Sequence, residues 1–140
     1  MSGETDTSRF LVAGAKRSIW VRTRQGRLGE AMQDIERKIA GAENVIMESN
    51  SIIRFLRPDI YLTVLDAGTG DFKVSAREFL DRADAVIMHK TETAANWDMV
   101  PVDRITGKPS FVIQPPPYVT DEIAAFVKGR LMAGREVARA

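Results

Sequence analysis

Residues 85–89 read Ala-Val-Ile-Met-His, a short and continuous apolar run that ends in a polar residue. A strand that helices cover on both faces has this pattern, because neither face then needs polar side chains. Other runs of strand length recur along the chain, separated by stretches long enough for a crossover. We predict five strands: Ser18–Thr23, Asn44–Glu48, Ile60–Asp66, Ala85–His89 and Ser110–Gln114. The fold class expected is α/β, a three-layer domain with a mainly parallel sheet.

Helical periodicity fills the stretches between these strands. A helix is predicted from about Leu28 to Ala40, with one apolar stripe made of Leu28, Met32, Ile35 and Ile39. Ser75 is expected to cap a second helix, whose apolar face holds Ala76, Phe79, Leu80 and Ala83. A closing helix begins at Thr120, frays over residues 134–140, and buries Ile123, Phe126, Val127 and Leu131. Residues 1–140 are therefore expected to form a single domain.

Composition excludes several classes of function. The 140 residues are 44% hydrophobic and 28% charged, as in an average globular domain. Twenty Lys and Arg against 19 Asp and Glu leave a net charge of +1, so we expect neither nucleic acid nor a membrane surface as partner. The absence of cysteine excludes thiol nucleophiles, Cys-ligated metals and disulfides, and favours the cytoplasm. The polar first residues and the lack of any apolar run of ~18 residues predict neither export nor membrane insertion.

Three local features each permit two interpretations. Residues 16–27 contain five cations and no acid. These cations form either a phosphate-binding surface or a solvated rim, and we favour the solvated rim. Trp20 is interpreted as a core residue of the first strand rather than a platform for stacking bases. Trp97 either covers a nucleotide or packs on the closing helix.

The residues that end the strands are where ligands bind in open α/β sheets. Glu48 ends the second strand and Asp66 ends the third, and an acid in that place can hold Mg²⁺. The alternative for such acids is to cap a helix or begin a turn. His89 ends the fourth strand, where it is either a general base or a hydrogen-bonded strand-end histidine, which we favour.

The fourth strand and its tail, His89-Lys90-Thr91-Glu92, resemble the base-recognition segment of guanine-nucleotide-binding P-loop proteins, whose pattern is Asn-Lys-x-Asp. The resemblance implies that the stem of Lys90 lies along the nucleotide and that Glu92 accepts hydrogen bonds from the guanine edge. His89 stands where the family has Asn, and Glu92 is one methylene longer than the family's Asp. The cofactors implied are GTP and Mg²⁺.

A second segment resembles the molybdopterin-guanine dinucleotide biosynthesis adaptor group of P-loop NTPases. Asp6-Thr7-Ser8-Arg9 precedes Ala13-Gly14-Ala15 and a strand, as an Asp-Ser/Thr pair and an Arg do in that group. Residues 45–51 then correspond to its Walker-B-like strand. The resemblance implies roles for Asp6 and Arg9 near the nucleotide, for Glu48 on the metal side, and a link to molybdenum cofactor biosynthesis.

The phosphate-binding loop of that family is missing from this sequence. Gly107-Lys108 is the only Gly-Lys pair, and Pro109 follows where Ser or Thr is needed, so we predict a turn there. We therefore expect a truncated or degenerate nucleotide-binding-type domain that does not turn over substrate alone. The alternative is a non-catalytic interaction module. Its exposed sheet edge would pair with a P-loop-bearing partner chain or with a second copy of itself.

Overall fold

The computed structural model describes residues 6–65, 78–90 and 105–139. The chain divides into two compact units, Met1–Ile46 and Met47–Ala140. The first unit holds helices α1 (Asp6–Val12) and α2 (Leu28–Ile39). The second holds strands β1 (Leu62–Leu65), β2 (Ala85–His89) and β3 (Ser110–Ile113), and helix α3 (Asp121–Arg139). Two 3₁₀ turns lie at Ile52–Arg54 and Leu80–Arg82.

Helix α2 confirms the apolar stripe predicted for it. Met32 and Ile35 are buried, and Leu28 and Ile39 at its two ends are half-buried. The helix ends one residue before the predicted limit, and Gly41 follows with φ of +78°. A positive φ of this size is adopted readily only by glycine, so Gly41 fixes the point where the chain leaves the helix.

The three strands form one parallel sheet in the order β1-β2-β3. Leu62 lies opposite Ala85, and His89 lies opposite Ile113, so β2 is paired along both of its sides. The predicted bounds of β2 are confirmed, and strands β1 and β3 are each shorter than predicted. Mixed α/β character with a parallel sheet is thus established for the second unit.

Successive residues of β2 contribute to separate cores on opposite faces of the sheet, as strand geometry requires. Val86 packs with Leu65 and Leu80 on one face. Ile87 packs on the other face with Ile113 and with Ile123 of α3. Because β2 is covered on both faces, its side chains need no polar alternation, and this explains the Ala-Val-Ile-Met run.

Two predicted strands, Ser18–Thr23 and Asn44–Glu48, are absent from the structure, and both segments have irregular backbone. Neither segment is paired with a strand, and strand composition without a ladder partner does not stabilise extended structure. Their apolar side chains consequently lie exposed. The five-stranded sheet predicted from sequence is reduced to three strands in the described residues.

The predicted second helix is only partly within the described residues. Residues 71–77, including Ser75 and Ala76, lie outside them, and a 3₁₀ turn occupies Leu80–Arg82. Leu80 and Ala83 are buried, as their place on the apolar face predicted. The 3₁₀ turn at Leu80–Arg82 thus places Leu80 in the core, and Ala83 follows it there.

The closing helix begins where Thr120 predicts. The Thr120 hydroxyl accepts a hydrogen bond from the Ile123 N–H at 3.3 Å, so Thr120 is the N-cap of α3. Ile123 is buried and Phe126 and Val127 are half-buried, whereas Leu131 is exposed. The helix continues to Arg139, through residues for which the sequence predicts fraying. Within the described residues, none of the helices combines the length and the apolar character that a bilayer crossing requires.

Candidate functional site

The carboxyl ends of β2 and β3 lie side by side at one edge of the sheet. The Lys90 N–H donates a hydrogen bond to the Ile113 carbonyl at 2.8 Å, which extends the contact between the two strands beyond His89. His89 is half-buried and Lys90 is exposed. Both residues therefore occupy the position that the sequence predicts, at the edge where parallel α/β sheets bind ligands.

Tyr118 joins this edge from the chain that follows β3. Its ring centroid lies 6.2 Å from that of His89, and the two rings are inclined at 59°. The Pro115-Pro116-Pro117 segment connects β3 to Tyr118. Sequence reasoning missed this residue, although the rule that adjacent strand ends converge provides a signal for it. The described side-chain contact at this edge is therefore the one between the His89 and Tyr118 rings.

Of the other predicted site residues, Glu48, Asp6 and Arg9 lie in the described part of the chain. Glu48 is exposed on irregular backbone, and no described contact joins it to His89 or Lys90. Asp66 and Glu92 lie outside the described residues. Asp6 begins α1, and Arg9 is exposed in the last turn of the same helix.

Metal ligation was predicted at Glu48 and Asp66. Within residues 6–65, 78–90 and 105–139, no three His, Asp or Glu side chains are grouped as a metal ion requires. Glu48 is thus the one described member of the predicted metal pair.

The Gly107-Lys108 pair forms a turn, as predicted. Gly107 has φ of +85°, and the Lys108 N–H donates to the Ile105 carbonyl at 3.1 Å. The Lys108 ammonium donates to the Ala83 carbonyl at 2.7 Å and to the Asp81 carbonyl at 3.0 Å. Lys108 therefore holds the turn that precedes β2, and its ammonium is occupied by backbone oxygens.

The basic stretch of the first unit contains both paired and exposed cations. Arg17 donates to the Lys38 carbonyl, and Arg27 forms an ion pair with Glu30. Lys16, Arg22 and Arg24 are exposed and have no side-chain hydrogen bond or ion pair in the described part of the chain. A shallow groove of about 460 Å³ lies at this surface, lined by Thr23, Arg24, Arg27, Glu30, Ala31 and Asp34.

The interpretation of Trp20 as a core residue is wrong. Its side chain is 76% exposed, with Ile19 and Val21 partly exposed on either side of it. Ile46 is also 76% exposed, between the exposed Val45 and Met47. Neither segment is part of a sheet, so no second strand or helix layer covers these side chains. Trp97 lies outside the described residues.

No protein-family model, curated protein or solved structure matches this chain.

Proposed function

We propose that this chain is a non-catalytic interaction module that associates with another polypeptide through strand-forming segments left exposed by its own fold. The exposure of Trp20 and Ile46 carries the proposal, because each lies at the centre of a segment with strand composition. Apolar side chains clustered at a surface mark sites of protein association. Such side chains become buried when a partner covers them.

The edges of the sheet support the same function. β1 and β3 are the edge strands of the described sheet, and Val64 and Val112 on them are 54% and 59% exposed. An edge strand presents backbone donors and acceptors that another extended chain can pair with. The described sheet thus offers docking edges in addition to the exposed segments 18–23 and 44–48.

In this proposal the chain alone does not carry out phosphoryl transfer. That reaction depends on loop amides and a lysine that cradle the phosphates. The only Gly-Lys pair in the sequence is the turn at Gly107, and Lys108 already binds two carbonyl oxygens there. The chain therefore has no lysine poised in such a loop.

The test compares exposed and buried apolar residues. Ile46→Thr and Trp20→Thr are expected to change the free energy of unfolding by less than about 0.5 kcal/mol. Both are expected to lower the binding of an apolar fluorescent dye to the native protein. The core control Leu80→Ala is expected to cost about 3 kcal/mol. A loss of stability at Ile46 as large as that at Leu80, or dye binding unchanged by both threonine variants, contradicts the proposal.

A second candidate function is the binding of a purine nucleotide, as the resemblance to guanine-nucleotide-binding P-loop proteins implies. The observation in its favour is the pair of rings, His89 and Tyr118, at the carboxyl edge of a parallel sheet, with Lys90 next to His89 in the chain. In this proposal Lys90 and Glu92 contact the base of GTP, and Glu48 and Asp66 hold Mg²⁺. The fold is then P-loop NTPase-like, and the chain is a cytoplasmic relative of the molybdenum cofactor adaptor proteins.

Thermal unfolding with added nucleotide tests this candidate. GTP with Mg²⁺ at 100 times its dissociation constant is expected to stabilise the chain by about 2.7 kcal/mol, and ATP with Mg²⁺ by less. Lys90→Ala is expected to remove the stabilisation, while Lys128→Ala, which removes an exposed cation of α3, retains it. Equal melting temperatures with and without GTP at millimolar concentration refute nucleotide binding.

A further inference from the structure

The two exposed segments of the chain carry opposite charge. The basic segment, residues 16–24, contains Lys16, Arg17, Arg22 and Arg24 and no acid. The acidic segment, residues 43–48, contains Glu43 and Glu48 and no cation. Each segment also has three consecutive apolar residues at its centre, at 19–21 and at 45–47. The two are complementary in charge and alike in apolar character.

The structure shows that three of these charged groups are available to a partner. Lys16, Arg22 and Glu48 are exposed and make no ion pair or side-chain hydrogen bond within the described residues. Trp20 and Ile46 are the most exposed apolar side chains of the two segments. Neither segment is engaged in a strand ladder. Each of the two segments therefore combines charged groups, exposed apolar side chains and a backbone that is not paired in a ladder.

We propose that two copies of this chain form a twofold-symmetric dimer in which the basic segment of each copy pairs as a β-strand with the acidic segment of the other. The proposal rests on the interaction function proposed above. Twofold symmetry makes the contact occur twice, since each copy contributes one basic and one acidic segment. Pairing covers Trp20 and Ile46 and supplies ladder hydrogen bonds to both segments.

The charges match in either strand direction. Glu43 and Glu48 are five positions apart, and Arg17 and Arg22 are also five positions apart. A parallel or an antiparallel alignment therefore places one glutamate near each end of the basic segment. Opposite charges across paired strands stabilise the contact, and like charges destabilise it.

A second copy fits these observations better than a nucleic acid does. A phosphate backbone is attracted to Lys16 and Arg22 but is repelled by Glu43 and Glu48. It would also leave Val45, Ile46 and Met47 uncovered. An extended polypeptide that carries both apolar and acidic residues satisfies both segments at once, and this chain contains such a polypeptide.

Charge reversal tests the pairing. The basic-reversed variant carries Lys16→Glu and Arg22→Glu, and the acid-reversed variant carries Glu43→Lys and Glu48→Lys. Sedimentation velocity over a range of concentrations at low salt is expected to show a dimer for the wild type. Each reversed variant alone is expected to dimerise at least about tenfold more weakly, because attraction becomes repulsion at both contacts.

Mixing the two reversed variants provides the decisive measurement. In the mixed dimer every reversed basic segment meets a reversed acidic segment, and the unchanged segments meet each other. Dimer affinity in the mixture is therefore expected to return to that of the wild type. The control variant carries Glu122→Lys and Lys128→Glu on the exposed face of α3, and it is expected to dimerise as the wild type does. Far-UV circular dichroism verifies that every variant folds.

Three results overturn the proposed dimer. The first is a wild type that stays monomeric at its highest soluble concentration, and the second is a mixture that associates no better than its separate components. The third is salt-sensitive binding of oligodeoxythymidine that requires Lys16 and Arg22 and dissociates the dimer, which identifies nucleic acid as the occupant. The dye and stability measurements on Trp20 and Ile46 are made on dilute, monomeric protein, so they test the interaction function separately from the dimer.

Discussion

Replacement of Lys108 by methionine removes a charged group that ties together the amino ends of β2 and β3. The Lys108 ammonium donates at 2.7 Å to the Ala83 carbonyl and at 3.0 Å to the Asp81 carbonyl, just ahead of β2. Lys108 itself lies just ahead of β3, and Pro109 next to it accepts a hydrogen bond from the Val86 N–H at 3.0 Å. Methionine retains most of the apolar stem and loses both ammonium hydrogen bonds.

The expected cost is set by the charge and by the exposure of the group. A hydrogen bond to a charged group contributes about 1.5–3 kcal/mol. Lys108 is half-buried, so water compensates part of the loss, and the two bonds share one ammonium group. We therefore expect Lys108→Met to lower the free energy of unfolding by about 2 kcal/mol. For a domain of this size the melting temperature falls by roughly 6–8 °C.

Urea unfolding at 25 °C, followed by far-UV circular dichroism, measures the change. The matched control is Lys128→Met, since Lys128 is exposed on α3 with no side-chain hydrogen bond or ion pair among the described residues. The control is expected to stay within about 0.5 kcal/mol of the wild type. If Lys108→Met behaves like Lys128→Met, the ammonium does not stabilise the turn, and the assignment of Lys108 to a structural role is refuted.

Three further pairs of substitutions test the described packing and backbone. Leu80→Ala replaces a side chain that is 1% exposed and is expected to lower the free energy of unfolding in urea by about 3 kcal/mol. Val64→Ala, at an exposed position of an edge strand, is expected to lower it by less than about 1 kcal/mol. Equal losses would contradict the assignment of Leu80 to the core. Gly107→Ala, at φ of +85°, is expected to lower the stability of the protein by about 1–2 kcal/mol. Gly129→Ala within α3 is expected to raise it by up to about 1 kcal/mol. Thermal melts in which both variants shift the melting temperature in the same direction would refute this. Thr120→Ala is expected to lower stability by about 1 kcal/mol, and Thr120→Ser to restore most of it, because the cap of α3 needs only the hydroxyl.

The sequence predicted those elements whose apolar pattern is satisfied within the chain. Helix α2 was predicted from its stripe because Met32 and Ile35 have a neighbour to bury them. The ends of β2 were predicted because Ala85 and His89 bound a run that is paired on both sides. His89 and Lys90 were accordingly placed at the carboxyl edge in advance. Tyr118 was missed because its position depends on the path of the chain after β3, which no periodicity encodes.

The two predicted strands that do not form have one physical cause, and the chain contains its own control for it. The tripeptide Val-Ile-Met occurs twice, at residues 45–47 and at residues 86–88. In the second place Val86 and Ile87 are buried between β1 and β3, and in the first place Ile46 is 76% exposed. Valine and isoleucine are therefore exposed in the first place and buried in the second, and the difference is the presence of ladder partners on both sides of residues 86–88.

Composition thus encodes the capacity to become a strand, and pairing decides whether that capacity is used. Residues 18–23 and 44–48 retain the capacity and have no ladder in the described structure. Hydrogen exchange can detect whether these residues form a strand, because ladder formation protects backbone amides that otherwise exchange with solvent. Protection of residues 44–48 that rises with protein concentration is the behaviour of a strand completed by a second copy. Exchange at 44–48 as fast in concentrated as in dilute protein would mean that these residues take no partner strand from another copy.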